Sequence, residues 1–388
     1  MANAYFTPYG VGLGHASRLV MVAENLNQES VQIRFSSFGE AARYVSMRGY
    51  QCSVAPPMEF AWNLEGSFSV KQSIANIPIW FTNFSKQVNH EIRVMTQYGP
   101  DVIVSDSRLS PLFAAKLLGV PSIVLLNQLR LLLSPRLRQF RISRLFEKMT
   151  GEFLGMMWNT ADRILIPDLP PPYTISADNI WDIDAAGKLE YVGFTAPKPQ
   201  VNREQVEKVA EDLGFDRSRQ IVFFHISGPA ETRMPMIRIC LEAAKGLKDI
   251  QYVFSEGRAN GSTEPRKIGS DGRYYEWCPV RDEVFAMSDL IVLRGGHTAL
   301  SQAIQFGKPV VTIPIENHGE QLGNSVKVAS LGLGVMVHPK KIRPEQITRG
   351  VEEALSNPEY RRKTEQVRKM TDELNGIDNV VKIIRSYL

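Results

Sequence analysis

The sequence predicts an α/β protein of two parallel-sheet domains, and three observations carry that expectation. Short apolar runs of strand length alternate with segments of helical period, the pattern of parallel strands joined by crossover helices. Several of those runs end directly in glycine-containing turns: Tyr9-Gly10-Val11-Gly12-Leu13-Gly14-His15, Ser227-Gly228-Pro229 and Arg294-Gly295-Gly296-His297-Thr298. The chain is 388 residues long, too many for one ordinary core and suited to two.

Composition narrows the function classes. Hydrophobic residues at 44% and charged residues at 22% are ordinary for a globular protein. A net charge of +4 is slight for this length and implies no nucleic-acid partner. Cys52, Cys240 and Cys278 form neither a C-x-x-C pair nor an even framework, which points to a reducing compartment. The first strand begins almost at once, leaving no room for a signal peptide, and no apolar run approaches the ~20 residues of a membrane span. A cytoplasmic protein is expected.

Taken in order, Ala2 to Thr7 reads as the first strand, and the glycine turn after it opens a helix with Leu19, Ala23 and Leu26 on one face. His15 stands at that helix start. An imidazole titrates near working pH and suits proton transfer; capping the helix or donating to a phosphate are the other roles open to it. Gln32 to Ser36 and Ser53 to Ala55 are the next strands. Pro56 to Asn89 reads as irregular, and its aromatics (Trp62, Phe68, Trp80, Phe81, Phe84) serve either an acceptor pocket or ordinary packing. Asp101 to Asp106 is a buried strand ending in an acid. Strand C-termini face the ligand crevice in such sheets, so Asp106 is either a site carboxylate or the cap of the helix from Ser110 to Leu118.

After a strand at Ser122 to Leu126 comes an unusual stretch, Leu129 to Phe153. Leu129, Leu131, Leu132 and Leu133 precede Ser134-Pro135, a good helix start. On the helix, Ile142, Leu145, Phe146, Met149 and Phe153 share one face, while Arg141, Arg144 and Lys148 lie on another. Either the apolar face enters the core and the basic face is solvated, or the segment makes peripheral contact with an anionic membrane at its inner face. Arg163 to Ile166 is a strand, Tyr191 to Phe194 closes the first domain, and Thr195 to Asn202 is a Pro-containing linker.

The second domain opens with a strand at Gln220 to Ile226, the Ser227-Gly228-Pro229 turn and a helix from about Thr232. Gln251 to Ser255 is a strand and Glu256 to Gly272 a polar loop. Trp277 to Asn324 is the most informative stretch. Within it Asp289 to Leu293 is a strand, Arg294 to Thr298 a turn, and Ala299 to Phe306 a helix stopped by Gly307. Pro309 to Pro314 is a second strand, with a polar loop from Glu316 to Gln321. A turn that leaves backbone N–H groups at a helix N-terminus binds anions. Val335 to Val337 is the last strand, a later helix starts at Pro344, and Ile377, Val380, Val381 and Ile384 give the final helix an apolar stripe.

The positions Trp277, Pro279, Gly296, Ala299, Gln302, Gly307, Pro309, Pro314, Glu320, Gln321 and Asn324 resemble the donor-binding signature of nucleotide-sugar glycosyltransferases of the GT-B fold. The nearest patterns are those of the UDP-glycosyltransferase and MurG-like families. Two positions depart from them: Gln302 replaces the carboxylate that binds the ribose, and Ala299 replaces a hydroxyl residue. The resemblance implies two Rossmann-like domains facing a central cleft. These are residues 1–196 for the acceptor and 203–369 for the donor, with a final helix (about 370–388) crossing back to the first. It implies an inverting transfer of a hexose, with His15 as base and Asp106 orienting it. Gly12, Gly14, Ser227, Gly228, Arg294 and the backbone of Gly295, Gly296, His297 and Thr298 would receive the nucleotide diphosphate. Trp277 and the backbone at Val280 would take the base and Gln302 the ribose. Glu316, Glu320, Gln321 and Asn324 would take the donor sugar. No metal or cofactor is implied beyond a UDP-sugar co-substrate, and the acceptor is a small molecule or a lipid. The D-x-D at Asp182 to Asp184, a metal signature of a different transferase fold, reads as chance. A UDP-sugar 2-epimerase of the same architecture and a catalytically idle sugar-nucleotide-binding protein are the alternatives.

Overall fold

The computed structural model describes residues 2–26, 31–58, 77–129, 138–180, 188–196, 201–228, 230–258 and 260–388. Trp62 and Phe68, Leu131 to Pro135, and Trp181 to Asp184 lie outside these residues. The chain divides into two compact units, one running to Pro197 and including Leu374–Leu388, the other spanning Lys198–Glu373.

The first unit runs β1 (Asn3–Pro8), α1 (Gly14–Leu26), β2 (Gln32–Ser37), α2 (Gly39–Met47), β3 (Cys52–Val54), α3 (Ile77–Tyr98), β4 (Val102–Asp106) and α4 (Ser110–Leu118). It continues through β5 (Ser122–Leu125), α5 (Arg141–Trp158), β6 (Arg163–Ile166), α6 (Ala177–Ile180) and β7 (Leu189–Tyr191). The strands pair in the order β3-β2-β1-β4-β5-β6-β7, all parallel. The order reverses between β1 and β4, where Pro8 pairs with Asp106. Such a reversal splays the flanking loops apart and opens a crevice at the strand C-termini.

The second unit repeats this plan. Its elements are α7 (Arg203–Asp212), β8 (Gln220–His225), α8 (Ala230–Ala244), β9 (Ile250–Ser255), β10 (Arg266–Ile268), β11 (Gly272–Tyr275), α9 (Arg281–Met287) and β12 (Leu290–Leu293). There follow α10 (His297–Gln305), β13 (Val310–Thr312), α11 (Gly319–Ser330), β14 (Gly334–Met336), α12 (Pro344–Ser356) and α13 (Pro358–Glu373). The order is β10-β11-β9-β8-β12-β13-β14, parallel except for the edge pair β10 and β11. Here the reversal falls between β8 and β12.

The last helix, α14 (Gly376–Arg385), belongs to the first unit. Ile377, Val380, Val381 and Ile384 join the core formed by β1, β2, β4 and α1, and Asn379 Nδ2 donates to the Val192 carbonyl at 2.9 Å.

Two stretches differ from expectation. The polar loop after Ser255 contains the β10–β11 hairpin. The stretch read as irregular becomes α3 from Ile77 on, a helix of 22 residues. Its period is hard to see because its buried face is partly polar: Gln87 and Glu91 point inward beside Met95, while Ile79 and Phe81 are exposed. The Glu91 carboxylate, fully buried, accepts from Tyr5 (2.6 Å), Ser36 (2.7 Å) and Arg108 (2.7 Å). Gln87 accepts from Ser110 at 2.8 Å. Buried charge is tolerable only when paired and hydrogen-bonded, and here both conditions hold. Arg108→Met should therefore cost about 3–5 kcal/mol, because it leaves Glu91 buried and unpaired. Adding Glu91→Gln should recover part of the loss. Urea unfolding of the two variants checks this, and equal midpoints would be the contrary result.

Candidate active site

Both sheet reversals carry the glycine turns singled out in the sequence. In the first unit the β1–α1 turn holds Gly12 (φ +74°), and Gly14 starts the helix. His15 then sits in the first helical turn. Its Nδ1 lies 2.7 Å from Oδ1 of Asp106, the last residue of β4, and its side chain is 26% exposed. The Asp106 carboxylate has no exposure and does not cap α4, whose N-cap position is Leu109. Ser107, directly after it, adopts a positive φ of 59° and donates its hydroxyl to Oδ1 at 3.1 Å. A non-glycine residue held in the left-handed region is a mark of a constrained site.

Asp106 has a second partner that the sequence reading missed. Arg18, one turn after His15 and 2% exposed, donates Nε to Oδ2 and Nη2 to Oδ1. The same Nη2 lies 3.3 Å from His15 Nδ1 and 3.4 Å from Asn127 Oδ1. Burial raises the Asp106 pKa, but the Arg18 charge and the hydrogen bonds from Arg18 and His15 overcome it and hold the carboxyl down to about 2. The available signal was the spacing: i and i+3 on a helix share a face.

In the second unit, Gly296 is the N-cap of α10 and no side chain caps that helix, so its first-turn N–H groups keep the anion-binding character of a helix start. Gly295 has φ +81°, and a Cβ there would lie 2.5 Å from Ser325 Oγ and 2.9 Å from the Gln321 carbonyl. A Cβ on Gly296 would meet nothing within 4 Å. The turn is thus closed on its Gly295 side and open on its Gly296 side. Ser227 and Gly228 (φ +120°) follow β8, the strand paired with β12.

Three residues expected at the ligand make hydrogen bonds within the fold. Arg294 is buried, donating Nε to the Ile313 carbonyl at 3.0 Å and Nη1 to the Thr232 carbonyl at 3.1 Å, so these donors brace the turn from beneath. Burial lowers its pKa to about 10, and no carboxylate pairs with it among the described residues. Asn324, assigned to sugar hydroxyls, is fully buried and donates to the Gly295 carbonyl at 3.1 Å. Gln321 likewise accepts from the Ile315 N–H at 2.9 Å. Glu316 and Glu320 are partly exposed around the start of α11, Trp277 and Val280 are half-buried before α9, and His297 is buried. Thr298 is partly exposed in the first turn of α10.

Gln302 is 3% exposed and donates to Asp282 Oδ1 at 2.9 Å. Asp282, in the first turn of α9, thereby brings a carboxylate beside the position where the resembled families carry one. Nothing in the sequence marks it, since the contact depends on how α9 and α10 pack. The three cysteines are free, with Cys278 pushed up to about 12 by burial.

The two parallel-sheet units have the GT-B fold, as solved glycosyltransferases do. Residues 235–379 match the glycosyltransferase family 28 C-terminal domain. The chain is 30% identical to an uncharacterized glycosyltransferase of Methanopyrus kandleri, over 83% of this chain and 88% of that protein. It is 27% identical to one from Methanosarcina acetivorans, over 98% and 97%. Among solved structures, a spinosyn rhamnosyltransferase superimposes with a TM-score of 0.69 at 16% identity, covering 99% of this chain and 100% of that one, a likeness of fold. The same enzyme has been solved with thymidine diphosphate. The chain belongs to these glycosyltransferases, the UDP-glycosyltransferase-like group with the GT-B fold.

The two glycines of the β12–α10 turn should respond differently to substitution. Gly295→Ala is expected to destabilise by about 1–3 kcal/mol, from the positive φ and the contact with Gln321 backbone. Gly296→Ala should leave the melting temperature unchanged yet weaken nucleoside-diphosphate binding about tenfold by filling the open side. Calorimetric titration with UDP, beside thermal melts, reads both.

Proposed function

We propose that the protein is an inverting, metal-independent transferase that moves a hexose from a UDP-sugar to an acceptor hydroxyl. The observation that carries this reading is the His15–Asp106 contact at the first sheet's reversal. With Nδ1–H given to Asp106, the far ring nitrogen Nε2 carries a lone pair. It takes the acceptor proton as the acceptor oxygen bonds to the anomeric carbon and the nucleoside diphosphate leaves from the opposite side. The open Gly296 side of the α10 turn, with the loop at Ser227 and Gly228, receives the diphosphate. Arg294 contributes its field from below rather than a hydrogen bond. Gln302 and Asp282 together meet the ribose hydroxyls, the amide fixed by the carboxylate.

His15→Ala should lower transfer about 10²–10⁴-fold, the usual contribution of a positioned base, with UDP affinity retained. Asp106→Asn should cost less. Activity should survive EDTA. Following UDP release against epimer formation from the same UDP-sugar separates transfer from 2-epimerisation and from binding alone. Wild-type turnover by His15→Ala, or EDTA loss restored by Mg²⁺, would count against the reading.

We further propose that the acceptor is carried at an anionic membrane surface that contacts α5. Leu145, Met149, Phe153 and Met156 are each more than half exposed, and Arg141, Arg144 and Lys148 are exposed among them. The helix is held instead by its Gly151, Gly155 and Trp158 edge, so Leu145, Met149 and Phe153 of its apolar face point outward. Leu129, by contrast, is in the core. No described helix is long and apolar enough to cross a membrane. Three basic groups at about 1 kcal/mol each, with apolar side chains beside them, suffice for weak attachment. Wild type should co-sediment with anionic vesicles at low salt, and changing Arg141, Arg144 and Lys148 together to Glu should abolish this. A wild type that stays in the supernatant would refute the membrane assignment.

A further inference from the structure

We propose that Arg18 is a positioning residue of the transfer reaction: it holds the Asp106 carboxylate rigid and opposes protonation of His15, keeping the imidazole a neutral base. The inference deepens the proposed function, on whose assignment of His15 as base its catalytic meaning rests. The geometry is specific. Arg18 engages both carboxylate oxygens of Asp106, leaving Oδ1 to be shared with His15 Nδ1 and the Ser107 hydroxyl. Two donors on a planar guanidinium fix the plane of the carboxylate, which a single-point partner does not. The carboxylate then fixes which imidazole nitrogen carries the proton, since Nδ1 faces an acceptor.

The second effect is electrostatic. The charged groups facing His15 among the described residues are Asp106 from β4 and Arg18 from its own helix. Tyr9 presents a ring edge from the preceding turn at 5.9 Å, and Asn127 and Ser107 are neutral. A carboxylate alone beside an imidazole attracts the charged form over the neutral base. Arg18 Nη2 lies 3.3 Å from Nδ1, so its charge offsets that attraction at close range. The arrangement gives His15 an oriented tautomer without committing it to the charged state. A merely structural Arg18 would hold Asp106 in place without affecting the proton affinity of His15.

The test is the titration of the His15 ring by NMR, together with the pH profile of kcat/KM, in the full-length protein. In Arg18→Gln the His15 midpoint should rise by about one pH unit, moving the acid limb of the profile upward. Arg18→Lys, which keeps the charge, should leave the midpoint near wild type and lower kcat through lost orientation. If Arg18→Gln does not fold, Arg18→Gln/Asp106→Asn, which buries no lone charge, takes its place; its His15 midpoint must then exceed that of Asp106→Asn alone. A midpoint that does not move, with activity falling evenly at every pH, overturns the proposal. A midpoint that rises while the acid limb stays put upholds the role of Arg18 toward His15 and overturns His15 as the base.

Discussion

Asp106 is a carboxylate without solvent exposure at the end of a buried parallel strand, and the chemistry of the first unit depends on how that charge is met. Taking a charge out of water costs several kcal/mol unless partners replace the lost solvation. Here the partners are Arg18 and His15, both from the first two turns of one helix, with Ser107 completing the set. The sheet makes the meeting unavoidable. Because β1 and β4 are neighbours with Pro8 opposite Asp106, the helix that follows β1 starts beside the end of β4. The glycine turn between them is short enough to bring the first helical turn over the carboxylate.

The same geometry recurs in the second unit with a different electrostatic solution. There the reversal joins β8 and β12, and the turn after β12 runs into α10 with no side-chain cap. Rigidity comes from the interior: Asn324 holds the Gly295 carbonyl, and Arg294 reaches the carbonyls of Ile313 and Thr232. Polar residues that a sequence reading assigns to ligand thus shape the loop that would hold it. A side chain aimed inward and one aimed at a ligand look alike in a linear motif.

Most of the architecture was legible because buried parallel strands are short apolar runs and glycine turns follow them. His15 and Asp106 were legible for the same reason, as polar residues at the edges of such runs. What escaped was whatever depends on tertiary pairing between polar groups. The α3 helix hides its period because Glu91 and Gln87 are its inward residues, matched to Arg108, Tyr5, Ser36 and Ser110. Arg18 belongs to no motif, and it is 2% exposed because it pairs with the buried Asp106. Asp282 gained meaning only once its contact with Gln302 was known. The exposed Leu145, Met149 and Phe153 reverse the usual inference, since an apolar stripe on a helix normally marks the core.

The two units differ in how their buried charges are compensated, and the proposed division of labour follows from that difference. In the first, two buried carboxylates each have a cation, Arg18 for Asp106 and Arg108 for Glu91, while Asp168 is met by the N–H groups of Leu169, Ile175 and Ser176 and the Ser176 hydroxyl. Proton chemistry gains from such closure, because the base is oriented before any substrate arrives. In the second, the buried Arg294 is met by carbonyl dipoles alone among the described residues, and its pKa is lowered accordingly. A cation under an uncapped helix start is a standing attraction for a dianionic group on the open side of Gly296. On the proposed reading the donor itself brings the missing negative charge. On that reading the Arg294 charge beneath the turn favours the diphosphate group that departs in the reaction.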